Sequence, residues 1–242
     1  MPLTLSIVIP AYNEAATIKA ILDKVLAVSL NFGIGKQIII VNDASTDNTR
    51  QVAEEYIVSV KIRSSPVDIQ LFHNARNSGK GYSIREGIKR ATGDFIIIQD
   101  ADTEYDPREY NRLLTPVMEG FADVVYGSRF MGENPHRVLF FWHSIGNKVI
   151  TFFSNMCSNL NLTDIETCYK LFKADIIKKI ELKENRFGFE PEVTAKVARV
   201  PGIRIYEVGI SYYGRTYKEG KKINWKDGFR AFWCIFKYNL FG

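Results

Sequence analysis

The feature that most limits what this chain can fold into is an alternation in its first hundred residues. Short apolar or β-branched runs occupy residues 3–9, 37–41, 69–72 and 95–98, and each gap between them carries a helical pattern. Residues 15–30 place Ile18, Ile21, Leu22, Val25 and Leu26 at helical spacing; helices are also expected at 47–56 and 78–91, the last ended by Gly93. Short, continuously apolar runs read as buried strands. Strands separated by helices predict βαβ units, hence an α/β fold with a mostly parallel central sheet flanked by helices. Such sheets bind ligands beyond the carboxyl ends of their strands. The residues there are Tyr12, Asn13 and Glu14, then Asn42 and Asp43, then 73–80, then Asp100 and Asp102. Each set alone is ordinary turn chemistry. Four strands delivering polar groups to one rim predict a site.

The second half is less regular. A strand is expected at 124–127, ending in Ser128-Arg129, and another at 203–210. Ile145, Val149, Phe152, Phe153, Met156 and Leu160 form one amphipathic stripe; Phe229, Phe232, Trp233, Phe236 and Leu240 form a second at the C-terminal end. No internal repeat or Pro/Gly/Ser-rich linker divides the chain, so 1–242 is expected to be one compact domain with halves 1–120 and 121–242. At 46% hydrophobic and 24% charged, its composition excludes disordered and low-complexity classes.

Net charge is +5, and residues 213–242 carry as much by themselves: Arg215, Lys218, Lys221, Lys222, Lys226, Arg230 and Lys237 against Glu219 and Asp227. Such a segment suits nucleic acid, an anionic membrane surface or a phosphorylated substrate. Three cysteines (Cys157, Cys168, Cys234) with no CxxC spacing, and an N-terminus without a basic, apolar leader pattern, predict a reduced, cytoplasmic setting. No charge-free apolar run approaches the ~20 residues that cross a bilayer.

Asp100-Ala101-Asp102 closes an apolar strand. Carboxylates at i and i+2 can both reach a divalent ion where the strand end bends, and oxygen ligands suit Mg²⁺ or Mn²⁺. The competing role is helix capping, since Asp106-Pro107 opens a helix just after. Asp43 sits in Val41-Asn42-Asp43-Ala44-Ser45-Thr46, where it either reaches a ribose or base edge or merely forms a turn. Lys80, in Gly79-Lys80-Gly81, is a site cation or a solvated helix start. There is no GxxxxGK[ST] loop and no GxGxxG after the first strand, which disfavours ATPase and dinucleotide readings.

In order and spacing, Ile7-Val8-Ile9-Pro10-Ala11-Tyr12-Asn13-Glu14, residues 41–49, Asn77-Ser78-Gly79-Lys80-Gly81 and Gln99-Asp100-Ala101-Asp102 resemble the successive motifs of inverting family 2 glycosyltransferases. Gly127-Ser128-Arg129-Phe130, residues 164–170, and Ser211-Tyr212-Tyr213-Gly214-Arg215-Thr216-Tyr217 with Gly220-Lys221-Lys222 resemble the branch of dolichyl-phosphate mannose and glucose synthases and bacterial polyprenyl-phosphate glycosyltransferases. The resemblance implies a GT-A type, Rossmann-like fold. It implies a nucleotide-sugar pocket formed by Pro10, Tyr12, Asn13, Glu14, Val41, Asp43, Lys80, Asp100, Ala101 and Glu104, and a Mg²⁺ or Mn²⁺ ion held by Asp100 and Asp102. Asp102, Arg129, Arg215 and Lys221 would be catalytic, Arg129 meeting sugar or phosphate groups and Arg215 with Lys221 the acceptor phosphate. Two residues depart from the pattern. Glu104 stands where mannose synthases often have Gln, and Cys168 stands where Gly commonly precedes an aromatic. Many members carry C-terminal transmembrane helices; none is expected here.

The implied reaction moves a hexose from a UDP- or GDP-sugar to a polyprenyl phosphate with inversion. A phosphomonoester, with its second pKa near 6, is mostly dianionic at neutral pH and needs no general base. A sugar-hydroxyl acceptor, the alternative, needs one, and Asp164, Glu166, Glu190 and Glu192 are the candidates. A lipid acceptor calls for peripheral contact with the cytoplasmic face of a membrane. The stretches 138–153, starting Val138-Leu139-Phe140-Phe141-Trp142, and 229–240, flanked by Lys226, Arg230 and Lys237, fit that contact; their other reading is that both face the core. A non-enzymatic membrane or nucleic-acid module is the remaining alternative, and the Asp100/Asp102 pair argues against it. No nucleic-acid partner is expected.

Overall fold

The computed structural model describes residues 2–62, 67–132, 137–138, 140–215 and 225–241. Strands β1 (Thr4–Ala11), β2 (Gly35–Asn42), β3 (Asp68–His73) and β4 (Phe95–Ile98) alternate with helices α1 (Ile18–Ala27), α2 (Thr49–Ile62) and α3 (Lys80–Arg90). Helix α4 (Tyr110–Met118) closes the first half, and the second adds β5 (Val124–Ser128), α5 (Phe141–Ser158), β6 (Lys170–Lys173), α6 (Ala174–Ile177), α7 (Phe189–Ala198), β7 (Ile205–Gly209) and α8 (Trp225–Leu240). The sheet runs β3-β2-β1-β4-β6-β5-β7, and β6 alone is antiparallel to its neighbours. One sheet joins both halves of the chain.

The centre is apolar because helices cover both faces of parallel strands. Ile7, Val8 and Ile9 register with Ile38, Ile39 and Ile40, and Ile7 and Val8 also with Ile97 and Ile98; all are essentially fully buried. Helix α3 lies directly on β1. A methyl group at Gly87 would come within 2.3 Å of Val8 Cγ1, so only glycine permits that approach.

Strand β6 was not legible. Its four residues, Lys-Leu-Phe-Lys, give no apolar run, and Lys170 is fully buried. The lysine is tolerated because Nζ bonds the Thr167 carbonyl and lies 5.2 Å from the Tyr126 ring centroid. Burial pushes its pKa down.

The two amphipathic stripes each divide. On α5, Phe153 packs against Phe232 and Phe236 of α8, with ring centroids 5.5 and 6.2 Å apart. Phe141, Trp142, Val149, Phe152 and Met156 are exposed. On α8, Ala231, Cys234, Ile235 and Tyr238 are buried, while Phe229, Trp233 and Leu240 are exposed. The core-facing reading thus holds for one face of each helix, and the other face is exposed. Arg230 and Lys237 do not stand free as flanks of that helix. Both ion-pair with Glu184, at 2.7 and 3.3 Å, and Glu184 also accepts from Tyr238 Oη at 2.8 Å. Among the described residues no helix is long and apolar enough to cross a membrane.

Candidate active site

A cavity of about 310 Å³ opens at the carboxyl ends of β1, β2 and β4, where the parallel topology places it. Of the residues expected there, Pro10, Tyr12, Glu14, Asp43, Lys80, Asp100, Ala101, Asp102, Glu104, Arg129 and Arg215 line it. Val41 does not. It is wholly buried in the core, like its neighbours on a strand covered on both faces. Asn13 is not in the wall either. With φ at +52°, it exchanges bonds with Thr46, Nδ2 to Oγ1 at 3.1 Å and Oδ1 from the Thr46 amide at 2.8 Å, and so splices the loop after β1 to the loop after β2. Lys221 lies outside the described residues, as do Lys218 and Lys222.

Asp43 shapes the pocket floor. Its carboxylate accepts from Asn74 Nδ2 at 2.7 Å and from the amides of Ser78 and Gly79 at 2.9 and 2.7 Å, ordering the loop that starts α3. Gly79 has φ of +102°, and a methyl there would lie 2.3 Å from the Asn185 carbonyl. The chain at 184–187 is therefore pressed against this loop, and it brings Arg186 and Phe187 into the wall. The motif reading passed over those two. Their only signal was the aromatic and glycine string Arg186-Phe187-Gly188-Phe189 just before a helix start.

The bend after β4 is held from behind. Gln99 is fully buried, its Oε1 accepting from Tyr110 Oη and Tyr169 Oη at 2.6 Å each and its Nε2 donating to the Asp100 carbonyl at 3.0 Å. Beyond it the charges interleave. Lys80 Nζ lies 2.9 Å from Asp100 Oδ1 and 3.4 Å from Glu190 Oε1. Arg215 Nη2 lies 2.6 Å from Asp102 Oδ2, its Nε 3.2 Å from Glu104 Oε1, and its Nη1 3.9 Å from Glu14 Oε2. Asp102 also accepts the Glu104 amide at 3.0 Å. Its carboxyl is pushed up to about 7, first by burial and then by the neighbouring charges of Asp100 and Glu104, with Arg215 opposing.

Arg129 is set by Asp164. Nε and Nη2 form a two-pronged pair with the carboxylate at 2.7 and 2.8 Å, and the guanidinium lies 5.3 Å from the Tyr212 ring centroid. Asp164, fully buried, also accepts from Asn147 Nδ2 at 3.2 Å. Glu192 is a brace: its carboxylate accepts the amides of Lys183 and Glu184, both at 2.7 Å, and Lys196 Nζ at 2.6 Å.

Glu190, behind Lys80, and Glu166 are neighbouring carboxylates, and the buried Oε1 of Glu166 and Oε2 of Glu190 find no partner among the described residues. Burial, and then repulsion by Glu190, pushes Glu166 up to about 8 from an ordinary 4.5. Between those values the unfolded chain releases this proton and the folded chain keeps it, so stability falls as pH rises. Glu166→Gln removes that loss. From pH 5 to pH 8 the wild type should lose about 3 kcal/mol more stability than the variant, read from denaturation curves. Parallel curves would show that Glu166 is already ionised in the folded chain.

The model of the family described as glycosyl transferase family 2 matches residues 6–181, and the chain belongs to that family. It is 29% identical over 226 residues to an undecaprenyl-phosphate mannosyltransferase of Micrococcus luteus, covering 88% of this chain and 85% of that one. It is 26% identical over 219 residues to a dodecaprenyl-phosphate galacturonate synthase of Rhizobium johnstonii, covering 90% of this chain and 62% of that one. A low-salt glycan biosynthesis hexosyltransferase of Haloferax volcanii is 28% identical over 228 residues, 94% of this chain and 52% of its own length. The chain thus spans less than two thirds of the last two. Among solved structures, glucosyl-3-phosphoglycerate synthase of Mycobacterium tuberculosis, crystallised with Mn²⁺, UDP and glucosyl-3-phosphoglycerate, superposes with a TM-score of 0.72 at 15% identity, over 98% of this chain and 80% of that one. That likeness establishes the GT-A type fold.

Proposed function

We propose that this chain transfers a hexose, with inversion, from a UDP- or GDP-sugar to a polyprenyl phosphate at a membrane surface. The observation that carries the reading concerns the acceptor. Of the four carboxylates the sequence offered as a general base, none lines the cavity. Asp164 is committed to Arg129, Glu192 braces backbone amides, Glu190 is buried behind Lys80, and Glu166 lies outside the cavity wall beside Glu190. An acceptor that arrives already anionic needs no such base. The names of the Micrococcus and Rhizobium relatives point to the same acceptor class.

The residues present fit a divalent cation. Asp102 is buried beside Asp100 and Glu104, with Arg215 as the opposing charge, so its proton affinity is raised first by burial and then by those carboxylates. Among the described residues no three His, Cys, Asp or Glu side chains make a protein-only cage. Mg²⁺ and Mn²⁺ are often held by one or two carboxylates together with substrate phosphates. Asp100 and Asp102 would hold the ion, which would offset charge developing on the leaving diphosphate. Lys80 fixes Asp100, and Arg129, oriented by Asp164, presents its charge to the cavity. Asp43 and the loop it orders receive the nucleoside.

Val138, Phe141 and Trp142, just before and at the start of α5, are 88, 67 and 78% exposed, and Phe152 farther along the helix is 62% exposed. With Phe229 and Trp233 of α8 they suit insertion into the headgroup boundary. The test supplies UDP- and GDP-sugars, with and without polyprenyl phosphate, in Mn²⁺ or EDTA. Labelled sugar should enter an organic-extractable, mild-acid-labile product only with metal and lipid phosphate. Label appearing only in a hydroxyl-linked polysaccharide would favour the other acceptor. Flotation with anionic vesicles checks the surface: the chain should float, and Trp142→Ser with Phe141→Ser should sink.

A further inference from the structure

Resting on the divalent-cation reading above, we propose that Arg215 is the protein's own stand-in for that cation. Its guanidinium covers Asp102 and Glu104 until the ion arrives, and the exchange releases Arg215 for the phosphate of the acceptor.

The geometry around Arg215 is unlike that of the other cavity cations. Arg129 is committed to Asp164, a buried carboxylate outside the cavity wall. Lys80 also meets a cavity carboxylate, Asp100 at 2.9 Å, but it is braced from behind by Glu190 at 3.4 Å. Among the described residues, the three carboxylates within 4 Å of Arg215 (Glu14, Asp102 and Glu104) all line the cavity. The guanidinium thus occupies the acidic face that a metal–diphosphate complex would need. It is the shortest contact on Asp102, at 2.6 Å on Oδ2. A metal ligand must offer an unshared, deprotonated oxygen. Guanidinium and divalent ion in contact with one carboxylate would place three positive charges together in a cavity of reduced dielectric, where their repulsion is strong. The two therefore compete.

Release has a defined path through Glu104, which bonds three residues of the segment beside the two bonds that Arg137 makes to the carbonyls of Tyr212 and Gly214. Glu104 Oε1 accepts the Arg215 amide at 2.8 Å, its Oε2 accepts Tyr212 Oη at 2.8 Å, and its carbonyl accepts the Tyr213 amide at 2.9 Å. When the carboxylate of Glu104 turns to the cation, the amide of Arg215 and the hydroxyl of Tyr212 lose their acceptor together. Glu104 then joins ion binding to the position of the chain at 212–215.

Two measurements test this on the full chain without turnover. Mn²⁺ affinity is read by electron paramagnetic resonance in the absence of nucleotide. Arg215→Gln should bind Mn²⁺ about tenfold more tightly than wild type, a middling value for coupling between two groups at one site. Arg186→Gln removes a positive charge from the same cavity but not one bonded to these carboxylates, and it should shift affinity much less. Separately, saturating Mg²⁺ should speed hydrogen exchange in the peptide spanning 212–215 while β1 stays protected. Equal affinities for wild type and Arg215→Gln, an equal gain in Arg186→Gln, or unchanged exchange under Mg²⁺ would each overturn the exchange of Arg215 for metal while leaving the metal site standing. If no variant binds Mn²⁺, both the metal reading and this inference fall.

Discussion

Asp102→Asn should lower kcat by about a thousandfold or more and leave the protein at least as stable as the wild type. The first effect follows from removing a ligand of the cation that would offset charge on the leaving diphosphate, a kind of stabilisation worth roughly 3–4 kcal/mol. Asparagine keeps the shape and can still accept the Glu104 amide bonded to Oδ1. The second effect follows from the cost of that charge when the site is empty. Asp102 is buried between Asp100 and Glu104, and its proton affinity is raised to about 7, so the folded chain resists its ionisation. The loss of Asp102's pairing with Arg215 is cushioned because the guanidinium keeps Glu104. Loss of activity with no loss of stability marks a residue kept for chemistry. A melt showing the variant several degrees less stable, with activity falling in step, would instead make Asp102 a structural anchor.

Asp164→Ala should cost about 3–5 kcal/mol, the scale for removing one partner of a buried ion pair. The variant leaves the Arg129 guanidinium without the two oxygens that fix it and Asn147 without an acceptor. The denaturation midpoint should fall with little change in slope. Activity should fall as well, since Arg129 would lose its aim into the cavity. A paired change separates the two losses. Arg129→Met with Asp164→Leu replaces the ion pair by apolar groups and should regain much of the stability without regaining activity. If Asp164→Ala alone keeps full stability but loses the chemical step, the aspartate acts on the substrate and a hydroxyl acceptor becomes the better reading.

The four strands of the first half were legible because each is a short apolar run on which the sheet imposes one demand, burial on both faces. Polar residues at their ends were legible for the same reason: nothing in a buried strand explains an Asp-Ala-Asp or an Asn-Asp. What composition and spacing could not show was pairing across distance. Whether Asp43 meets a ligand or its own loop depends on Asn74, Ser78 and Gly79, some thirty residues on. Strand β6 escaped because its lysines mask it, and Lys170 is acceptable inside only through the Thr167 carbonyl and the Tyr126 ring. The apolar stripes named the right residues but not their directions. Phe153 and Phe152 are adjacent, yet one packs on α8 and the other is exposed. Arg186 and Phe187 reach the cavity only because glycines at 79 and 81 let their loop come close.

Glu184 fastens together parts that lie apart in sequence. Its carboxylate takes Arg230, Lys237 and Tyr238 from α8, and its backbone carbonyl takes a guanidinium nitrogen of Arg85 on α3. The next two residues carry the close contact on Gly79 and supply Arg186 to the cavity. Three bonded links therefore run from the outermost helix to the pocket floor. Through Glu184, the helix that carries these exposed aromatics is bonded to the stretch that lines the cavity. Shortening that side chain by one methylene, as in Glu184→Asp, slackens the linkage while leaving its charge in place.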